Sequence, residues 1–218
     1  MKSKYFSEFL GTAFLFCTVV GSGIMGQNLS SNDSLTLLAN TLATVFALYF
    51  LITVFGDHSS HFNPVVSMVM LVRKEITTQV CTVFIILQIS GAILGVMLAN
   101  YIFELDPVYF SEKPRSGTHL FVSEILATFG LLMVILLSSK EKVAVTVAAY
   151  IGAAYWFTSS TSFANPAGTI GRSFSNTFAG ISTNDILHFC VAQIIGAFLA
   201  FIVYRTFFES QKLSLIHI

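Results

Sequence analysis

Apolar residues run through this chain in long unbroken blocks, not in the stripes of a half-buried helix or strand. The blocks cover about residues 6–25, 35–55, 76–102, 118–138, 143–158 and 185–208. A helix crosses the hydrocarbon core of a bilayer in about 20 apolar residues, so the pattern predicts six transmembrane helices. Short polar joints separate them: Asp33 after the first block, Gly56-Asp57-His58-Ser59-Ser60 after the second, Lys140-Glu141-Lys142 before the fifth. The one long joint, 103–117, carries Glu104, Asp106, Glu112, Lys113 and Arg115 and divides the chain in two.

Two joints hold more than a turn. His61-Phe62-Asn63-Pro64-Val65-Val66-Ser67 follows the second block, and Phe163-Ala164-Asn165-Pro166-Ala167-Gly168-Thr169 follows the fifth. Asparagine is a preferred N-cap, and proline is favoured at the first helical position, where its missing N–H would be unsatisfied anyway. Each Asn-Pro therefore starts a helix. The first has room to run to Arg73-Lys74-Glu75, and the second stays fairly apolar through Phe178, Ala179 and Ile181. Both are too short to cross a membrane. Two capped half-helices between spans imply re-entrant segments lining a cavity, because irregular backbone is not viable against lipid.

The two halves repeat one another. Glu8-Phe9-Leu10-Gly11-Thr12 in the first span matches Glu124-Ile125-Leu126-Ala127-Thr128 in the fourth. Gln88-Ile89-Ser90-Gly91-Ala92 in the third matches Gln193-Ile194-Ile195-Gly196-Ala197 in the sixth. Repeat one covers about 1–102 and repeat two about 118–210, within one channel domain over 1–218. Three spans per repeat is an odd number, so the second repeat is inverted in the membrane. Lys2, Lys4, Arg73, Lys74, Lys140, Lys142, Arg205 and Lys212 fall on one side, and only Lys113, Arg115 and Arg172 on the other. The positive-inside rule then puts both termini in the cytoplasm. The half-helices enter from opposite faces and meet, N-terminus to N-terminus, near the midplane.

Composition agrees with this environment. The chain is 55% hydrophobic and 10% charged, against about 25% charged residues in soluble domains. Its formal net charge is zero, which gives no reason to expect nucleic acid as a partner. Cys17, Cys81 and Cys190 all fall inside predicted spans and read as small buried hydrophobes. His58, His119 and His188 sit at span edges, with solvated or packing roles. The first block lacks a small-residue cleavage pattern and is read as a retained span. No nucleophile–base pair, phosphate loop, metal site or cofactor motif is present, so no enzyme is expected.

With its paired Asn-Pro motifs, paired Glu/Thr marks and Gln-x-x-Gly-Ala pair, the chain resembles the aquaporin, or major intrinsic protein, family. The run from Thr169-Ile170-Gly171-Arg172-Ser173 to Thr177-Phe178-Ala179-Gly180-Ile181 looks like a bacterial subgroup, some members of which are linked to metalloid resistance. The resemblance implies an all-α membrane protein of six transmembrane and two re-entrant helices. It also implies a homotetramer in the inner membrane, with one pore per subunit, in contact with lipid.

Physical chemistry fills in the pore. Two half-helix N-termini, each worth about half a positive charge, disfavour any cation between them. The amides of Asn63 and Asn165 can orient a central water and oppose a proton wire. Pro64, Val65, Pro166 and Ala167 complete the midplane motifs, Val65 standing where the family usually has Ala. Intramembrane carboxylates need partners, so Glu8 and Glu124 either brace the re-entrant loops or couple transport to protons. His61 either lines the pore or packs against its loop.

The family's outer constriction, carried over by position, falls on Thr44 (or its neighbour Ala43), Ala153, Ser162 and Gly168. Gly168 stands where the family's filter arginine is usual. The set is small and uncharged, which implies a pore wider than a water-only filter. Arg172, one helical turn beyond Gly168, either leans over the lumen through the space Gly168 leaves or anchors the outer loops through carbonyls or Asp185. The expectation is a passive channel for water and small neutral solutes: glycerol-like polyols, urea or neutral metalloid acids. The alternatives are a proton- or ion-coupled secondary transporter using the two glutamates, and a closed junction or scaffold protein.

Overall fold

The computed structural model describes residues 2–209. Lys212 and the polar tail, assigned above to the cytoplasmic side, lie outside the described residues. The six expected spans are present as α1 (Lys2–Leu29), α2 (Asp33–Phe55), α4 (Thr78–Ile102), α5 (Thr118–Leu137), α6 (Val143–Phe157) and α8 (Ile186–Tyr204). Between them sit the two half-helices, α3 (Pro64–Val72) and α7 (Pro166–Arg172). Five of the spans are long and apolar enough to cross a membrane, and α6 is shorter at 15 residues.

The repeats pack as mirrored sets. In the first, α1 lies along α4; in the second, α5 lies along α8. Small residues let these pairs close. A Cβ on Gly91 would stand 2.5 Å from the carbonyl oxygen of Phe9, and one on Gly196 would stand 2.4 Å from that of Ile125. The matched Gln-x-x-Gly-Ala marks are thus crossing points where helix backbones touch. Each half-helix also contacts the last span of the other repeat, α7 against α4 and α3 against α8. The half-helices are therefore held by both halves of the chain.

One face of the bundle carries the start of α1, the end of α8 and the α5–α6 joint, and is called here the terminal face. The opposite, loop face carries the segment 103–117. After seven residues α7 stops at Arg172, shorter than the apolar run to Ile181 would allow. The following segment, 173–182, turns back alongside 103–117. Tyr109 N donates to Phe174 O at 3.1 Å, Ser111 N to Ser173 O at 2.8 Å, and Ser182 N to Lys113 O at 2.7 Å. Asn100, buried at the end of α4, donates to Pro107 O at 3.1 Å and Phe174 O at 2.9 Å. Hydrogen bonds to a neighbouring loop replace the last turns of the helix.

Candidate functional site

Asn63 and Asn165 have extended backbones, with φ of −156° and −158°, and each caps a helix whose first residue is proline. Asn63 Oδ1 accepts from Val65 N at 3.1 Å; Asn165 Oδ1 accepts from Ala167 N at 3.0 Å and Gly168 N at 3.3 Å. The amide nitrogens reach the other way. Asn63 Nδ2 donates to Ala164 O at 2.7 Å, and Asn165 Nδ2 to Phe62 O at 2.8 Å. Each asparagine thus crosses to the residue before its counterpart. An amide nitrogen has two hydrogens, so one remains on each side chain for a passing oxygen. Both side chains line a common cavity.

The residues before the asparagines have left-handed backbones, Phe62 with φ of 50° and Ala164 with φ of 48°. That conformation costs on the order of 1–3 kcal/mol at a non-glycine residue, and here it aims each carbonyl across the midplane. The intramembrane glutamates hold it. Glu8 accepts from His61 N and Phe62 N, both at 2.8 Å, from Gln88 Nε2 at 2.7 Å, and from the Ser59 hydroxyl. Glu124 accepts from Phe163 N and Ala164 N, both at 2.9 Å, and from Gln193 Nε2 at 2.7 Å. Both carboxylates are fully buried, and neither lines the cavity.

The cavity, about 520 Å³, runs from the terminal face past the asparagines to Arg172. Lys4, His58, Glu75 and Lys140 stand at its mouth, where Lys140 pairs with Asp57 at 3.1 Å. Its walls are mostly apolar: Leu15, Leu48, Val66, Met70, Val147 and Ile151 among others. His61 both lines the cavity and packs. Its ring meets Phe84 edge-on at 5.4 Å, and its Nδ1 hydrogen bonds Ser67 Oγ at 3.0 Å.

The expected constriction residues are scattered. Thr44, rather than Ala43, faces the cavity, where its hydroxyl pairs with the hydroxyl of Tyr155 at 3.2 Å. Ser162 also lines it, with a buried Oγ that has no partner among the described residues. Ala153 does not. It is exposed on the outer face of α6, and Tyr155, two residues on, takes the inward position. Two helical residues are about 200° apart, so a small error in counting changes the face. Gly168 does not line the cavity either. A Cβ there would lie 2.3 Å from the Phe16 ring, which fills the space expected for Arg172 and itself borders the cavity. Val65, Pro64, Pro166 and Ala167 are buried behind the asparagines as packing.

Arg172 lines the far end of the cavity and is 5% exposed. Its Nε donates to Ala179 O at 2.5 Å, and its guanidinium carbon lies 3.3 Å from the centre of the Phe163 ring. It is both a cavity residue and an anchor of segment 173–182. Phe16, Tyr155 and Phe163 escaped the sequence reading. The only local signal for one of them was Gly168, a residue without a side chain in a place that must be filled.

Chemically, the arrangement offers donors at two levels, the asparagine amides and the Ser162–Arg172 group, joined by apolar walls. A small hydroxylated or amide solute can exchange water for these donors in turn. A cation meets two helix N-termini and a buried guanidinium.

Comparison with known proteins gives the family. The family model described as "Major intrinsic protein" matches residues 1–159. An aquaglyceroporin AqpS of Rhizobium meliloti (strain 1021) is 45% identical over 210 residues, covering 94% of this chain and 90% of the relative. A glycerol uptake facilitator protein-like 6 of Lactiplantibacillus plantarum is 32% identical, covering 90% of this chain and 94% of its own. The solved aquaglyceroporin of Plasmodium falciparum shares the fold with a TM-score of 0.72, at 18% identity, over 96% of this chain and 98% of its own. The chain belongs to the major intrinsic protein family of transmembrane channels.

Proposed function

We propose that this channel is a passive conduit for water and small uncharged solutes, wide enough for glycerol-like polyols, urea or undissociated metalloid acids, and closed to protons and ions. The observation that carries the reading is the continuous cavity from Lys4 to Arg172, with its paired asparagines and apolar walls. The names of the relatives, an aquaglyceroporin and a glycerol uptake facilitator-like protein, support a solute wider than water. So does the replacement of the usual filter arginine by Gly168, with Arg172 one turn further out.

Ion exclusion follows from the two half-helix N-termini and from the amide hydrogens left free beside them. The glutamates brace the re-entrant loops. A proton-coupled carrier would need them protonated and released in turn, yet every carboxylate oxygen already accepts at least one hydrogen bond behind the cavity wall. The terminal face is cytoplasmic on the distribution of lysine and arginine. The protein works as an inner-membrane homotetramer with one conduit per subunit, as the family implies.

Swelling of proteoliposomes in water, glycerol and arsenite, with and without a proton gradient, tests the reading. Solute uptake should be non-saturating and indifferent to the gradient. Uptake that collapses when the gradient is removed would mean a coupled carrier, and no swelling above empty vesicles would mean a closed scaffold.

A further inference from the structure

Arg115 lies in the segment 103–117, outside the conduit, and borders a separate hollow between α5 and α8. It nonetheless touches the parts that hold Arg172. Its guanidinium carbon is 4.7 Å from the centre of the Phe163 ring, the same ring that Arg172 covers at 3.3 Å. Its Nε donates to Gly180 O at 2.8 Å, while Arg172 Nε donates to the adjacent carbonyl, Ala179 O. Its Nη1 reaches Ser160 O at 3.3 Å, at the start of the strained turn in which Thr161, Ser162 and Ala164 all have positive φ. Its own backbone is fixed by Asp185, whose Oδ2 accepts from Arg115 N at 2.7 Å.

Two guanidiniums therefore share one aromatic ring and two consecutive carbonyls, and only one of them faces the conduit. We propose that Arg115 is a positioning residue for solute selectivity: it fixes Phe163, Ser162 and the Ala179-Gly180 peptide, and through them the reach of Arg172 across the far end of the conduit. The proposal rests on reading Arg172 as part of the outer constriction. The planar fork is essential to it, because one side chain must bind carbonyls in two segments while lying over a ring. A lysine keeps the charge but offers a single point donor on a flexible stem. Neighbouring charges fit an anchored role. Burial holds the Arg115 pKa down at about 10, opposed by Glu124 and Asp185.

The test compares water and glycerol permeability in proteoliposomes for wild type, Arg115→Met, Arg115→Lys and Arg172→Ala, each normalised to reconstituted protein. Loss of Arg115 should raise the glycerol-to-water ratio by about threefold, the scale of one lost cation–π contact, with Arg172→Ala shifting it in the same direction. Arg115→Lys should resemble Arg115→Met. A lysine variant with the wild-type ratio overturns the positioning role even if the methionine variant fails to reconstitute. A ratio changed by Arg172→Ala alone rejects Arg115 and leaves the constriction standing. A ratio unmoved by Arg172→Ala rejects the constriction itself.

Discussion

At the scale of single residues, the conduit depends on how each asparagine divides its hydrogen bonds. Asn165 caps α7 with its oxygen, crosses to Phe62 O with one hydrogen and keeps the other. Asn165→Asp removes both donors and puts a negative charge between the two helix N-termini. Proton and cation conductance in planar bilayers should then rise by on the order of tenfold or more, equivalent to about 1.4 kcal/mol of barrier. Equal conductance in wild type and variant would remove the asparagine pair from ion exclusion. Gly168 makes a different kind of demand. Its added methyl would meet the tip of the Phe16 ring, which borders the cavity and would have to shift. Gly168→Ala should cost about 1–3 kcal/mol of stability and lower glycerol flux more than water flux. Unchanged glycerol flux would mean that Phe16 does not narrow the path.

These residues also mark what a sequence can and cannot disclose. Asn63 and Asn165 are legible because capping is local: the asparagine, the proline and the free N–H groups all lie within four residues. Phe16, Tyr155 and Phe163 are not. Phe16 reaches the conduit from a helix 150 residues away in sequence, and nothing in a uniformly apolar span separates a phenylalanine facing a lumen from one facing lipid. Ala153 shows the limit of counting. The linker between α6 and Asn165 turns through left-handed residues at Thr161, Ser162 and Ala164, and no residue in it reveals its phase to the helix before.

At the scale of elements, the second half-helix is the instructive one. Apolarity alone would let it run on to Ile181; it stops at Arg172 because segment 103–117 offers its hydrogen bonds to the returning chain. That brace includes Lys113, whose ammonium donates to Phe178 O at 2.7 Å and lies 4.8 Å from the Phe178 ring centre. Burial, then Arg115 and Arg172, push its pKa down to about 8, with Asp33 opposing. The unfolded chain therefore holds a proton that the folded chain lacks between about 8 and the ordinary 10.5. Stability should rise with pH across that window and gain nothing from this group below it. Lys113→Met should flatten the rise in thermal denaturation of the solubilised protein. An identical pH slope in the variant would assign it to other groups.

For the whole molecule, the repeats supply symmetry and their differences supply function. Position for position, His61 in one loop answers to Phe163 in the other, and Ser67, held by Gln88, answers to Thr169, held by Gln193. Beside the asparagines, the terminal half of the conduit thus presents an imidazole and the loop half an aromatic ring under a guanidinium. None of the three cysteines lines this path, Cys17, Cys81 and Cys190 all lying elsewhere in their helices. Mercurials should leave swelling rates nearly unchanged. Inhibition that disappears in Cys17→Ser, the variant of the first span, would put that thiol at the wall.

The crossed asparagine bonds have a consequence for biogenesis. Asn63 finds its acceptor at Ala164 and Asn165 finds its own at Phe62, about a hundred residues apart in each direction. A ribosome delivers Asn63 long before Ala164 exists. The first half-helix must wait, its amide unsatisfied and its strained neighbour held by Glu8 alone, while three more spans are inserted. The midplane closes only when the second half-helix arrives. A nascent chain stalled in α5 would be membrane-embedded and largely helical, yet would lack any finished path for solute.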